Sequence, residues 1–207
     1  MSSRLRAAPT KSALLALNKQ ARFLEQGHDM LERKRELLTR VIYERLRAYR
    51  RLRRQARAQL ETAYHWLALA QLRMGGQMLR HAVLGLEPGL AVRILPRSNV
   101  GIEYPAVTAT ALPLRPVALM WTDASFDEAR IHLAHTAVLL AQRGESETAL
   151  WRLLNAQRKT QKRVNALRYN IIPRYRQAIR AIRSALEENE RDSLFQLQRL
   201  REKGYGA

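Results

Sequence analysis

Apolar side chains that return at alternating intervals of three and four residues, sustained over eight heptads, constrain this chain more than any other feature. One column of the repeat holds Leu14, Ala21, His28, Arg35, Ile42, Tyr49, Ala56, Ala63 and Ala70. The other holds Leu17, Leu24, Leu31, Leu38, Arg45, Leu52, Gln59 and Trp66, and thirteen of the seventeen positions are apolar. A stripe this narrow buries itself only against another helix of the same kind, which makes it a coiled-coil seam. Thr10 or Ser12 can cap the start, Gly75-Gly76 marks an end or a break, and the rise per residue makes the helix about 100 Å long.

A second helix is predicted from Ser125, where Ser125-Phe126-Asp127-Glu128 has the spacing of a capping box, to about Lys203, with Gly144 as its soft point. Leu150, Leu153, Val164, Leu167 and Ile171 keep heptad register; the seam then moves to Tyr175, Ile179, Ile182 and Leu186. Successive steps of four are a stutter, and Pro173 sits inside it, so a bend or a local change of supercoil is expected between Asn170 and Tyr175. Between the arms the composition changes. Residues 81–130 carry four basic and five acidic groups, with prolines at 88, 96, 105, 113 and 116. LAVRIL (90–95) and GIEYPAVTAT (101–110), with turn residues at Pro96 to Asn99, predict a short β-hairpin with Pro105 on an edge strand.

The expected fold is therefore mainly α. A long antiparallel two-helix coiled coil is formed by an N-terminal arm (1–76) and a C-terminal arm (125–207), with a middle insert (77–124) containing the hairpin and capping the far end of the rod. Extrapolated from residue 74 opposite residue 131, Pro173 lies beside Glu32 and the two termini meet at one tip. The opening residues MSSRLRAAPTKSALLALNKQ hold too short an apolar run for a signal peptide. No eighteen-residue apolar run encodes a membrane span. Cysteine is absent, which excludes disulfides and thiol chemistry from the chain itself and fits a reducing compartment.

Charge bears on function. Lys and Arg number 37 against 18 Asp and Glu, a formal charge of +19. Residues 31–57 hold eleven basic and three acidic groups, and 151–186 hold ten basic and none acidic. This composition fits phosphate binding, a solvated rod face, or a surface complementary to an acidic partner. Arg35 and Arg45, on the seam, either set its register or snorkel out of it, and snorkelling is the preferred reading. His132 and His135, near Asp127 and Glu128 with His81 as a third candidate, have metal-compatible spacing, but no HExxH pattern supports them and ordinary helix histidines are the preferred reading. Gly75-Gly76 lacks the Lys-Ser/Thr of a P-loop, there is no GxSxG element, and no catalytic or cofactor residues are assigned.

Three stretches carry a family resemblance. Pro9-Thr10-Lys11 leads into the leucine-rich run through Gly27-His28, Leu31, Lys34-Arg35 and Leu37-Leu38; Arg97-Ser98-Asn99-Val100-Gly101-Ile102 is followed by Pro105; and Arg163-Val164-Asn165-Ala166-Leu167 precedes Ile171-Ile172-Pro173-Arg174. Together they resemble the D subunit of the V-type and archaeal/bacterial A-type rotary ATPases, although Arg168 stands where that family commonly has an acidic residue. The resemblance implies a non-catalytic central-stalk subunit, peripheral on the cytoplasmic face of the membrane. It transmits torque between the catalytic A/B hexamer and the membrane rotor ring, coupling ATP synthesis or hydrolysis to ion transport. Implied partners are the A and B subunits, the F subunit and the socket formed by the C (or d) subunit, with no direct nucleic acid. On this reading Arg33, Arg35, Arg163, Arg168 and Arg174 face the A/B sleeve. Leu67, Met74, Ile131 and Val138, within 60–74 and 131–140, face the F subunit, and Leu84, Leu86 and Leu90 face the socket. The alternatives are a basic coiled coil that binds nucleic acid and an unrelated structural adaptor.

Overall fold

A computed structural model describes residues 8–117 and 122–204. Expectations for MSSRLRA, for residues 118–121 of the insert and for the tail beyond Gly204 lie outside them. The elements in order are α1 (Lys11–Leu84), β1 (Leu90–Asn99), β2 (Ile102–Ala111), α2 (Ala124–Ala166), a π-helical turn (Leu167–Ile171) and α3 (Ile172–Gly204). The chain divides into two compact units: one joins the residues up to Glu36 with those from Arg158, and the other is Leu37–Gln157.

In the first unit the start of α1 runs antiparallel to the C-terminal helix. Thr10 is the cap: its hydroxyl accepts the Ala13 N–H at 3.2 Å. Lys11 pairs with Glu190 at 2.8 Å and Glu25 with Arg176 at 2.6 Å. Arg35 donates to Gln161 at 3.2 Å. Leu17, Ala21, Val164, Ile172 and Ile182 are buried along this seam. Extrapolation put residue 180 opposite Glu25, whereas the structure puts Arg176 there. Pro173 therefore faces the stretch just after Glu25 and not Glu32.

The π turn explains how a helix carries Pro173. Ile172 donates its N–H to the Leu167 carbonyl, five residues back, so one extra residue is inserted immediately before the proline. The widened turn draws the preceding carbonyls away from the pyrrolidine ring, which in a regular helix would strike the carbonyl four residues back. The same extra residue absorbs the sequence stutter, so the irregularity is a change of helix type at 167–171.

In the second unit the seam is built from small residues. Ala56, Ala63 and Ala70, one heptad apart, are buried, as are Ala129, Thr136 and Ala149 on α2. Small side chains at the contact let helix axes approach toward the lower end of the usual spacing. Leu38 and Leu153 are the largest fully buried apolar side chains described. His132 stacks on Trp66, rings 8° from parallel, and meets Gln59 at 2.9 Å. The extrapolated register placed residue 73 opposite His132, and a single anchor near one end of the arms accounts for the error.

Gly75 breaks α1 as a glycine should. Its φ of 77° and ψ of 156° are accessible essentially to glycine alone, and helix resumes beyond it to Leu84. Ala82 then packs with Ala70 and Phe126, supported by Met74, Leu79 and Leu86. Apart from its chain neighbours and the helix's own backbone, no atom of the described residues lies within 4 Å of an added Cβ at Gly75. Gly75→Ala should accordingly cost about 1–3 kcal/mol through backbone strain alone, measured by chemical denaturation.

The hairpin turns later than expected. Its turn is Val100-Gly101, with φ of 54° and 72°, both positive as a type I′ loop requires, and the strands extend through Pro96 to Asn99. Pro96 pairs with Pro105. Counting from the turn, this pair falls where neither residue bonds across the ladder, so two missing N–H groups cost no strand pairing. Nor does the hairpin simply cap the tip. Tyr104 of β2 is buried against Arg45, far back along α1 from its end at Leu84.

Candidate functional site

All five arginines assigned to a sleeve contact fall in the interval bracketed by the Glu25–Arg176 and Arg35–Gln161 contacts. Arg33, Arg163, Arg168 and Arg174 are exposed. Among the described residues, Arg33, Arg163 and Arg174 have no acidic partner within 4 Å. Arg168 lies over the exposed Tyr169 ring at 5.4 Å. Arg35 is different: half-buried, it pairs with Glu32 at 2.5 Å and reaches Gln161 across the seam. Two buried polar atoms, His28 Nε2 and Glu32 Oε2, lack a hydrogen-bond partner among the described residues. The seam is thus least apolar opposite the π turn. Sequence reasoning missed the Glu25–Arg176 pair, because it depends on register.

The second seam arginine also has a defined role. Arg45 places its guanidinium 4.5 Å from the Tyr104 ring centre and donates to the Tyr104 hydroxyl. A fixed partner of this kind means that Arg45 does not snorkel; it anchors the hairpin to α1. The outward edge of β2 is tied down as well: Val107 N–H donates to Glu145 Oε2 at 2.8 Å, and Arg152 donates to the Glu103 carbonyl at 2.8 Å. Counting from the turn, Glu103 and Val107 are the positions whose backbone groups point away from β1. Side chains of α2 thus occupy an edge that would otherwise be free to pair with another strand.

The seam residues assigned to the F subunit prove to be partly inward-facing. Leu67 and Val138 are half-buried, Met74 packs against the Ala70–Phe126 cluster, and Ile131 is exposed. Off-seam side chains supply the accessible apolar surface in this stretch: Tyr64, Leu72, Leu133 and Leu140. A seam position points at its partner helix, and the accessible side chains stand one or two places away from it. Of the socket residues, Leu84 is 84% exposed, Leu86 packs on the same cluster, and Leu90 is half-buried at the start of β1.

The expected capping box is replaced by a different cap. Helix α2 begins at Ala124, and Asp123 accepts the Ser125 N–H at 3.0 Å and the Ser125 hydroxyl, with Arg73 at 3.1 Å. Ser125 is itself buried, so its hydroxyl turns toward Asp123. The Ser125 hydroxyl, then its backbone N–H, then Arg73 pull the Asp123 carboxyl down from its ordinary 3.8 to about 2. Because the folded value is depressed, this stabilisation is complete above pH 4 and is lost as pH falls through about 2. Between pH 4 and pH 2 the melting temperature of Asp123→Asn should therefore fall less than that of the unsubstituted chain in calorimetric scans.

His132 is used in packing on Trp66 and Gln59, and its contact with Glu128 is 3.8 Å. No group of three or more His, Asp or Glu is placed to hold a metal ion among the described residues. No helix among them is long and apolar enough to cross a membrane.

Comparison with known proteins bears on the family. A family profile described as the ATP synthase D subunit matches residues 13–202. The V-type ATP synthase D subunit of Thermotoga neapolitana is 34% identical over 197 residues, covering 95% of this chain and 97% of the relative. The A-type ATP synthase D subunit of Methanosphaera stadtmanae is 32% identical, covering 91% and 90%. That of Pyrococcus furiosus is 29% identical, covering 95% and 94%. With the match running across both helical arms and the hairpin, the chain belongs to the family of ATP synthase D subunits.

Proposed function

We propose that this chain is the non-catalytic central-stalk subunit of a V/A-type rotary ATPase, an axle that carries torque between the A/B hexamer and the membrane rotor ring. Catalysis takes place in the hexamer, and the axle links the opening and closing of those sites to ion transport in either direction. The observation that carries the reading is the bracketed interval of five arginines, with Arg33, Arg163 and Arg174 lacking an internal acidic partner among the described residues, in a chain of this family.

An axle must hold together under torque yet slide against its sleeve. Antiparallel helices distribute load along a seam of many packed side chains. Exposed arginines provide attraction to acidic sleeve loops at many near-equivalent positions, without the deep apolar anchors that would stop rotation. Arg35, behind them, closes the seam. Lower on the shaft, the F subunit is assigned to the surface around Leu67, Met74, Ile131 and Val138, with the exposed Tyr64, Leu72, Leu133 and Leu140 at its margin. Leu84, Leu86 and Leu90 are assigned to the socket on the rotor ring. The working location is the cytoplasmic face of the membrane, held there through partners.

Replacing Arg33, Arg35, Arg163, Arg168 and Arg174 together with glutamine should leave the complex able to hydrolyse ATP but lower its torque or ion-pumping yield per ATP several-fold. Full torque and full coupling in that variant would remove the bearing role from these residues.

A further inference from the structure

Arg50, Arg53, Arg54 and Arg57 recur at helical intervals of three and four along one face of α1, and all are exposed. Among the described residues, they alone line a shallow groove of about 480 Å³. The set spans two helical turns, about 10 Å along the axis. Among the described residues, Arg50, Arg53 and Arg54 have no acidic partner within 4 Å; Arg57 meets Glu61 at 3.1 Å in a pair exposed on both sides.

Every neighbouring pair in this set is a like-charge contact at i,i+3 or i,i+4, which opposes the helix that holds it. Packing cannot explain the arrangement, because the buried side of α1 here runs through Ala56 and Ala63. An external anion relieves the repulsion. Arginine's fork suits carboxylate and phosphate alike, so the shape of the surface must choose between them.

Two features favour carboxylates on a protein segment. No second wall and no backbone N–H cluster closes over the groove, so a compact phosphate ligand would be held from one side only. The nearest exposed aromatic side chains on α1, Tyr43 and Tyr64, each stand a full heptad beyond an end of the set, so no ring is interleaved with the four charges for successive bases to stack on. A ladder of four charges along two turns instead matches acidic side chains repeated along a helix or an extended strand.

We infer that the face bearing Arg50, Arg53, Arg54 and Arg57 docks a carboxylate-rich segment of a partner protein. It uses none of the arginines assigned to the sleeve and does not rest on the rotor reading. Its attraction is screened by salt, as expected for exposed charges.

The test uses the full chain and a fluorescent peptide with glutamates at helical spacing, alongside a duplex oligonucleotide of equal charge. The peptide should bind saturably at one site. Changing all four arginines to glutamine should weaken it about tenfold or more, the summed loss of four exposed charge pairs. Helical circular dichroism should be retained, with a melting temperature equal to or above that of the unsubstituted chain. The milder Arg50→Gln/Arg54→Gln variant should show an intermediate loss. Unchanged peptide affinity in both variants would overturn the inference. So would tighter, arginine-dependent binding of the oligonucleotide, which would make the face a nucleic-acid surface, or a clear drop in melting temperature, which would make the arginines structural.

Discussion

Leu153→Ala should lower the unfolding free energy by about 2–5 kcal/mol, and Leu38→Ala by a similar amount. Both side chains have 0% exposure, and no larger apolar side chain among the described residues is as fully buried. The seam side chains around each leucine are already held in packed positions and collapse only in part into a new cavity. Leu15→Ala is the matched control: that leucine is 71% exposed, and its loss should cost at most about 0.5 kcal/mol. Urea unfolding curves for the three variants check the contrast. Equal costs would mean that the seam is not where stability resides.

Tyr104→Ala should release the hairpin. Tyr104 is 2% exposed, lies under the Arg45 guanidinium and accepts its hydrogen bond, and is the only fully buried side chain described in either strand. Truncating a buried aromatic of this size costs about 3–5 kcal/mol. A two-stranded ribbon has little stability without a surface to pack on. The effect should appear locally, as accelerated hydrogen exchange at the Val107 amide, which is held by Glu145 only while the strand is docked. Tyr104→Phe keeps the ring and loses one hydrogen bond, so it should cost only about 1 kcal/mol and retain most of the protection. Equal protection in all three chains would show that the Glu145 and Arg152 contacts hold the hairpin without the tyrosine.

The heptad seam was legible because periodicity is a local property: Leu17, Leu38, Ala56, Ala63, Leu153 and Val164 are buried where the pattern placed them. The irregularity at Pro173 was legible for the same reason, although its form as a π turn depends on which carbonyl Ile172 reaches. Register was harder. It depends on the sum of side-chain contacts along both arms, and one misjudged anchor displaced Arg176 and His132 from their partners. The turn at Val100-Gly101 escaped because a β-branched residue at positive φ runs against local preference, and the strands on either side impose it. Asp123 was overlooked as a cap because Ser125 offered a stronger sequence signature. Arg45 and Tyr104 are 59 residues apart, and nothing short-range connects them. For the partner surfaces, periodicity identified the seam, but the side chains left accessible beside it, such as Tyr64 and Leu72, require the helix pairing to be known.

The proposed role reduces to whether this chain turns inside its complex. A bead attached to an exposed position on the chain, in a complex whose A and B subunits are fixed to a surface, should rotate in one direction while ATP is hydrolysed, with net rotation stopping when hydrolysis is inhibited. A bead that stays still while the same complexes hydrolyse ATP at full rate would contradict the axle.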